Sequence, residues 1–388
     1  MNSAVAKTGM VFLLAFLTGV NFVVFPALGA AFTDPSVFAL SSSQFGALFL
    51  PQVICIIISC LAAPFLVNRM GPKIILTIGV ALMLLSTGSL WGSQFFINDK
   101  SLIFPVLMVL VACTGSGFGL SITTLNPLAA SLFKNNPSSA ILILQFLVGL
   151  GTSASPLMMS LAGNVHNWMM VPGIIFIAVG ASFILFLFVR LEKGTFFELP
   201  GHFSIPSRLW VFFGIIILYG CIEGTFGSFG TVILKNKGLT NSDASLGLSL
   251  LWGGIAVNRL LFGIFAKKYN LSYIFLLSPL LVGGGILWLM GSSGAQTVLL
   301  LMSFIGFCMG SMFPGTIGWG TVEFPSLSVM VSGLMMAANQ IGTGTVTHVL
   351  GDFEDRTSLI LKVLVAFTLI ICAGLFLLKK NSKIKEAF

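Results

Sequence analysis

Apolar residues run through this chain in long unbroken blocks, neither alternating as in half-buried strands nor confined to one helical stripe. Crossing a bilayer takes about 20 mostly apolar residues of helix, and the blocks meet that length. Twelve spans are predicted, near 8–33, 43–67, 72–93, 102–133, 138–165, 168–190, 207–234, 243–267, 271–291, 296–322, 326–351 and 357–379. Continuous runs exclude a β-barrel, whose strands alternate apolar and polar positions. Short connectors such as Lys134-Asn135-Asn136-Pro137 join the spans and leave no room for a soluble domain. The first span follows Lys7 and carries small residues at Ala27–Ala30. It is longer than the roughly 7–15 apolar residues of a secretory signal, so a retained helix is expected.

Composition agrees with the pattern. Of 388 residues, 56% are hydrophobic and 8% charged, against about 25% charged in soluble domains. The net charge of +8 is unevenly spread. With both ends on one side, that side carries thirteen of the 19 basic residues, among them Lys7, Arg69, Lys73, Lys134, Arg190, Lys193 and Arg208. The other side carries Lys100, Lys235, Lys237, Arg356 and Lys362. Basic loops stay in the cytoplasm, so a multi-pass protein of the inner or plasma membrane is predicted, with both termini cytoplasmic. The basic balance is topological and implies no nucleic acid. All six cysteines fall within predicted spans, without metal-ligand spacing. No metal, cofactor or disulfide framework is expected, and a monomer in the lipid bilayer is.

Two charged residues break the apolar rule. Glu223 is the one acid clearly inside a span, within the run from Trp210 to Gly227. A carboxylate there costs roughly 2.5–3.5 kcal/mol by insertion scales, so it is expected to face water, a partner or a substrate. A group that changes protonation as it leaves water suits ion coupling; the plainer reading is a structural hydrogen bond between spans. Arg259 lies about eight residues from the basic end of span eight, roughly 12 Å deep at 1.5 Å per residue. It reads as an anchor for an anionic substrate, a gate ion pair, or an interhelical staple. Asn21, Gln52, Thr124, Asn126, Gln145, Trp252, Asn258, Trp319, Asn339, Gln340 and His348 complete the polar candidates. Amides both donate and accept, which suits hydroxyl-rich ligands, and the same side chains often hydrogen-bond between helices.

The connector 191–206 divides the spans into an N-terminal half, 1–190, and a C-terminal half, 207–388. In span four Gly119 precedes Pro127, and in span ten Gly306 precedes Pro314, at the same separation. Two parallel six-helix halves with a midplane site between them form a known transporter plan. Helix packing through small residues is the other reading of each glycine.

Between spans two and three, Pro64-Phe-Leu-Val-Asn68-Arg69-Met-Gly71-Pro-Lys73 resembles the cytoplasmic signature of the major facilitator superfamily. Its second-half copy, Gly263-Ile-Phe-Ala-Lys267-Lys268-Tyr269, keeps the glycine and basic character but puts Lys267 where an acid would stand. Thr124-Leu-Asn-Pro-Leu128, Gln145, Tyr219-Gly-Cys-Ile-Glu-Gly224 and Met312-Phe-Pro-Gly-Thr-Ile317 are similar to segments of the fucose permease-like sugar:proton symporters. The resemblance adds Tyr219 to the substrate candidates. It implies an all-α membrane protein of twelve transmembrane helices in two pseudo-symmetric halves. That subgroup carries acids in spans one and four, where Pro26 and Ile122 or their neighbours stand here and neither helix has a carboxylate. Proton coupling therefore does not carry over directly, and falls to Glu223 if present.

The chain lacks a phosphate-binding glycine loop followed by lysine, a His-Glu-x-x-His run, and any arguable Ser-His-Asp set. Neither an enzyme nor ATP-driven transport is expected. The reading is a gradient-driven transporter of a small polar solute, sugar-like, with H+ as the coupling ion. Import of organic anions or nucleosides through Arg259, or export of lipophilic compounds, are the alternatives.

Overall fold

A computed structural model describes residues 4–95, 100–132, 137–191, 206–265, 269–324, 328–350 and 356–379. Every regular element among them is helical. In chain order these are α1 (Ala4–Phe22), α2 (Val24–Ala27), α3 (Gly29–Thr33), α4 (Ser42–Ala47), α5 (Phe49–Met70), α6 (Pro72–Gly92), α7 (Lys100–Leu132) and α8 (Pro137–Ala162). There follow α9 (Met170–Leu187), α10 (Ser207–Asn236), α11 (Asn241–Phe265), α12 (Ser272–Gly291), α13 (Ala295–Met309), α14 (Met312–Glu323), α15 (Ser328–Leu350) and α16 (Thr357–Lys379). Eleven segments among the described residues are long and apolar enough to cross a membrane. The other predicted span, α15, has the length at 23 residues; Asn339, Gln340, Thr343 and Thr345 lower its hydropathy.

Three spans expected as single helices are interrupted. The first turns at Val23 and Leu28, the second at Leu48, and the tenth at Gly310 and Ser311. Proline accompanies all three, because it lacks the N–H that would bond the carbonyl four residues back and its ring crowds that carbonyl. Pro26 sits in α2, Pro51 in α5 and Pro314 in α14, each just beyond its break. A second device bounds the other end of α4. Ser41 accepts from the Gln44 backbone while the Gln44 side chain accepts from the Ser41 backbone, a capping box that fixes where α4 starts.

Two hydrophobic clusters form the body. One draws almost wholly on α1–α9 and the other on α10–α16. Glycines set the helix crossings in matching places of the two. A Cβ on Gly119 of α7 would stand 2.9 Å from the Ile56 carbonyl oxygen of α5, and one on Gly306 of α13 would stand 2.0 Å from that of Leu251 in α11. The paired Gly-Pro spacing therefore has its packing meaning at both glycines. The same holds for Gly151 against Phe16 and Gly342 against Ile217. Fourth spans meet second spans and fifth meet first in both halves, the repeat expected of pseudo-symmetry.

The halves touch along α8 and α11. Ser242 Oγ donates to the Ser160 carbonyl at 2.9 Å, and Ser249 Oγ to the Ser153 carbonyl at 2.8 Å. Phe45 meets Phe229 edge-on across the same divide, at 5.5 Å between ring centres. The two serine pairs recur seven residues apart on each helix, so one face of each carries the contact.

The signature between spans two and three has a geometric core. Gly71 closes α5 with φ +88° and opens α6, a backbone conformation that side chains with a Cβ resist. Pro72 follows at the first helical position, where its missing N–H costs nothing. Lys73 Nζ donates to the Leu187 carbonyl at 2.8 Å, tying the start of α6 to the end of α9, while Arg69 is exposed. The Asn68 side chain, Lys267 and Lys268 lie outside the described residues, and Gly263 lies on α11.

Candidate functional site

A cavity of about 100 Å³ lies between the halves. Its N-terminal-half wall is mostly apolar, with Phe22, Pro26, Phe49, Val53, Phe118 and Val148 broken by Gln52, Gln145 and Thr152. Phe22 and Phe118 stack there at 4.2 Å between ring centres. The C-terminal-half wall carries the charge, with Glu223, Trp252, Arg259, Asn339, Gln340 and Thr343.

Glu223 sits at the middle of a four-residue network. Tyr219, one turn earlier on α10, donates its hydroxyl to Oε1 at 3.0 Å. Asn339 of α15 donates Nδ2 to Oε2 at 2.9 Å. The Arg259 guanidinium of α11 stands 3.9 Å from Oε1, and its Nε donates to the Gly310 carbonyl at 3.3 Å. Three helices thus converge on one carboxylate. Glu223 and Arg259 side chains keep only 13% and 12% of their exposure, so each partly compensates the other where water is scarce.

Close backbone approach makes this convergence possible. A Cβ on Gly220 would stand 2.2 Å from the Asn339 carbonyl oxygen, a distance no alanine tolerates. Glycine there lets α15 press onto α10 and brings Asn339 within reach of the carboxylate. The Tyr219 ring, fully buried, stacks against Phe313 at 6.0 Å and so holds the phenol in place.

Some polar groups at the cavity wall remain open. Trp252 Nε1 and Gln340 Oε1 are buried without a partner among the described residues. Such groups cost about 1–3 kcal/mol each; Asn258 Oδ1 and Trp319 Nε1, away from the cavity, are in the same position. The benzo edge of Trp252 rests near Gly227, whose Cβ would lie 3.0 Å from it. Asn339 Oδ1 also has no partner among the described residues, but it lies against Gly220.

The sequence candidates separate clearly. Gln52, Gln145, Glu223, Trp252, Arg259, Asn339 and Gln340 line the cavity. Asn21, Asn126, Tyr219, Asn258 and Trp319 do not. Asn21 is fully buried and reaches the Met83 carbonyl at 3.4 Å. Asn126 accepts from Gln145 Nε2 at 3.0 Å, behind the wall. Tyr219 acts through Glu223. Asn258 packs at the Gly310 crossing, and Trp319 is walled in by Phe212 and Phe275. Thr124 bonds the Leu120 carbonyl of its own helix, and the His348 side chain lies outside the described residues. Thr152, Ser228, Thr343 and the Phe22–Phe118 stack line the cavity without having been singled out in the sequence. Nothing local marks them, since Thr152 bonds its own helix, donating to the Gly149 carbonyl at 2.7 Å, as threonines in ordinary spans do.

All six cysteines are free, and no group of metal-binding side chains occurs among the described residues.

Comparison with known proteins places the chain. The glucose/mannose transporter GlcP of Bacillus subtilis (strain 168) is 22% identical over 347 residues, covering 84% of this chain and 83% of that protein. Among solved structures, a D-xylose–proton symporter aligns with a TM-score of 0.76 at 15% identity, covering 99% of this chain and 98% of the other. A variant of the nucleoside transporter NupG aligns at 0.73 and 13% identity, covering 96% and 99%. The E. coli fucose:proton symporter FucP aligns at 0.62 and 14%, covering 96% and 98%. These likenesses establish the fold. The family model described as Major Facilitator Superfamily matches residues 8–347, most of the chain, so this multi-pass membrane transporter belongs to the major facilitator superfamily.

Proposed function

We propose that the chain moves a small neutral polar solute, sugar-like, by alternating access between its two halves, coupled to a proton held by Glu223. The carrying observation is the Glu223 network: a carboxylate at the wall of the central cavity, bonded by Tyr219 and Asn339 and faced by Arg259. Protonation removes the charge that Arg259 opposes, which weakens one contact between α10 and α11 and ties proton occupancy to helix arrangement. The open polar atoms of Trp252 and Gln340 support a ligand rich in hydroxyls, since one donates and the other accepts. The glucose/mannose transporter relative supports the same solute class.

The anion reading draws on Arg259, and its charge is already opposed by Glu223 at 3.9 Å; this favours a neutral solute. Thirteen of the nineteen basic residues on the face of the termini support cytoplasmic ends, and the chain acts as a monomer in the bilayer.

The test is uptake of radiolabelled D-glucose and D-mannose into proteoliposomes, with and without an inward proton gradient. Wild-type protein accumulates sugar only with the gradient, whereas Glu223→Gln exchanges sugar without concentrating it. Gradient-driven accumulation by Glu223→Gln at the wild-type rate would refute the coupling role.

A further inference from the structure

At two of the three proline-bordered breaks, those of Pro26 and Pro314, the carbonyl left without its helical donor has a side-chain partner. Pro26 cannot bond Phe22 O, four residues back, and Pro314 cannot bond Gly310 O. Both carbonyls are taken by side chains from another span. Gln52 Nε2 of α5 donates to Phe22 O at 3.4 Å, and Arg259 Nε of α11 donates to Gly310 O at 3.3 Å. Both side chains line the cavity, and α5 and α11 are the second spans of their halves.

Pro279, inside α12, provides the contrast. The Phe275 carbonyl it frees is taken by Ser278 Oγ of the same helix at 2.7 Å, a local repair that reaches no cavity. Freed carbonyls in membrane helices must find donors. What distinguishes Pro26 and Pro314 is that the donor is a long polar side chain at the cavity wall.

We infer that Pro26 and Pro314 are positioning residues, whose missing N–H groups leave carbonyl seats that hold Gln52 and Arg259 at the cavity wall. For Arg259 the seat has a second consequence. With Nε anchored on Gly310 O, the guanidinium is held with one terminal nitrogen 3.9 Å from Glu223 Oε1. The charged and titratable groups facing that carboxylate among the described residues are Tyr219 on its own helix and Arg259 on α11. The seat under Pro314 therefore fixes the distance between the charges at the site. This holds whichever solute is carried.

The test reads the anchored hydrogen directly. Protein labelled with 15N-arginine, in detergent micelles, gives Nε–H signals for the arginines, and the Arg259 signal is assigned by its loss in Arg259→Lys. Pro314→Ala restores an N–H that competes for Gly310 O, and is expected to speed exchange of the Arg259 Nε–H with water about tenfold or more. Pro279→Ala should leave that exchange within twofold of wild type. Should Pro314→Ala fail to fold, Pro314→Gly restores the same N–H and serves instead. Unchanged Arg259 protection in a folded Pro314 variant would overturn the inference, as would equal loss in Pro279→Ala. The readout involves neither sugar nor proton transport, so it stands or falls apart from the transport proposal.

Discussion

Tyr219 and Glu223 stand one turn apart on α10, and the phenol donates to Oε1 of the carboxylate at 3.0 Å. Residues four apart on a helix share a face, so the pair is built into the local sequence; the Phe313 ring stacked on Tyr219 comes from α14 and keeps the hydroxyl aimed. Tyr219→Phe retains the stack and removes the donor. Hydrogen bonds to charged groups contribute about 1.5–3 kcal/mol. The variant is expected to lose stability of that order at neutral pH, measured by thermal unfolding in detergent, and to change the pH profile of uptake.

Arg259 and Glu223 compensate one another, so their removal should be strongly non-additive. Arg259→Ala leaves a carboxylate in an apolar setting and is expected to destabilise more than the double variant Arg259→Ala/Glu223→Gln. Coupled neighbours show interaction energies of about 0.5–3 kcal/mol. A full double-mutant cycle by thermal unfolding measures the term, and simple additivity would mean that the 3.9 Å approach carries no energy.

Gly220 is where α10 and α15 touch. The methyl of Gly220→Ala would lie 2.2 Å from the Asn339 carbonyl oxygen, and overpacking costs typically about 1–3 kcal/mol. The helices must part, which draws Asn339 Nδ2 off Glu223. Expected outcomes are a lower melting temperature and impaired gradient-driven uptake together.

Trp252 Nε1 is a donor with no partner among the described residues. If a sugar hydroxyl accepts from it, one deoxy analogue should bind about tenfold or more weakly to the wild type. In Trp252→Phe that penalty should fall to within about twofold, by competition against labelled D-glucose. A penalty unchanged by the substitution would remove Trp252 from the list of solute contacts.

Ser160 and Ser242 join the halves with their Oγ atoms 3.2 Å apart. Alternating access requires interfaces between halves to open in turn. In a cysteine-free background, Ser160→Cys/Ser242→Cys should cross-link on oxidation, arrest transport, and recover on reduction. Full uptake in the cross-linked protein would show that this contact does not move.

The charged members of the site were legible because charge inside a span is an anomaly on any register. Glu223 and Arg259 stood out for that reason, and both line the cavity. Asn21 and Trp319 carried only the weaker signal of an uncharged polar group in a span, and turned inward among packed helices. The breaks beside Pro26, Pro51 and Pro314 were foreshadowed by proline, whereas the start of α4 rests on a capping box that a hydropathy reading passes over.

What the sequence determined by itself was a run of apolar membrane helices joined by short connectors, because leaving polar groups in hydrocarbon is costly. Which polar side chains meet was decided only by tertiary structure. Lipid and protein interior are equally apolar, so the pattern along a membrane helix does not say which face meets a neighbour. Glycine crossings such as Gly220 on Asn339 and carbonyl seats such as Gly310 under Arg259 made that choice, and they exist only once the helices are packed.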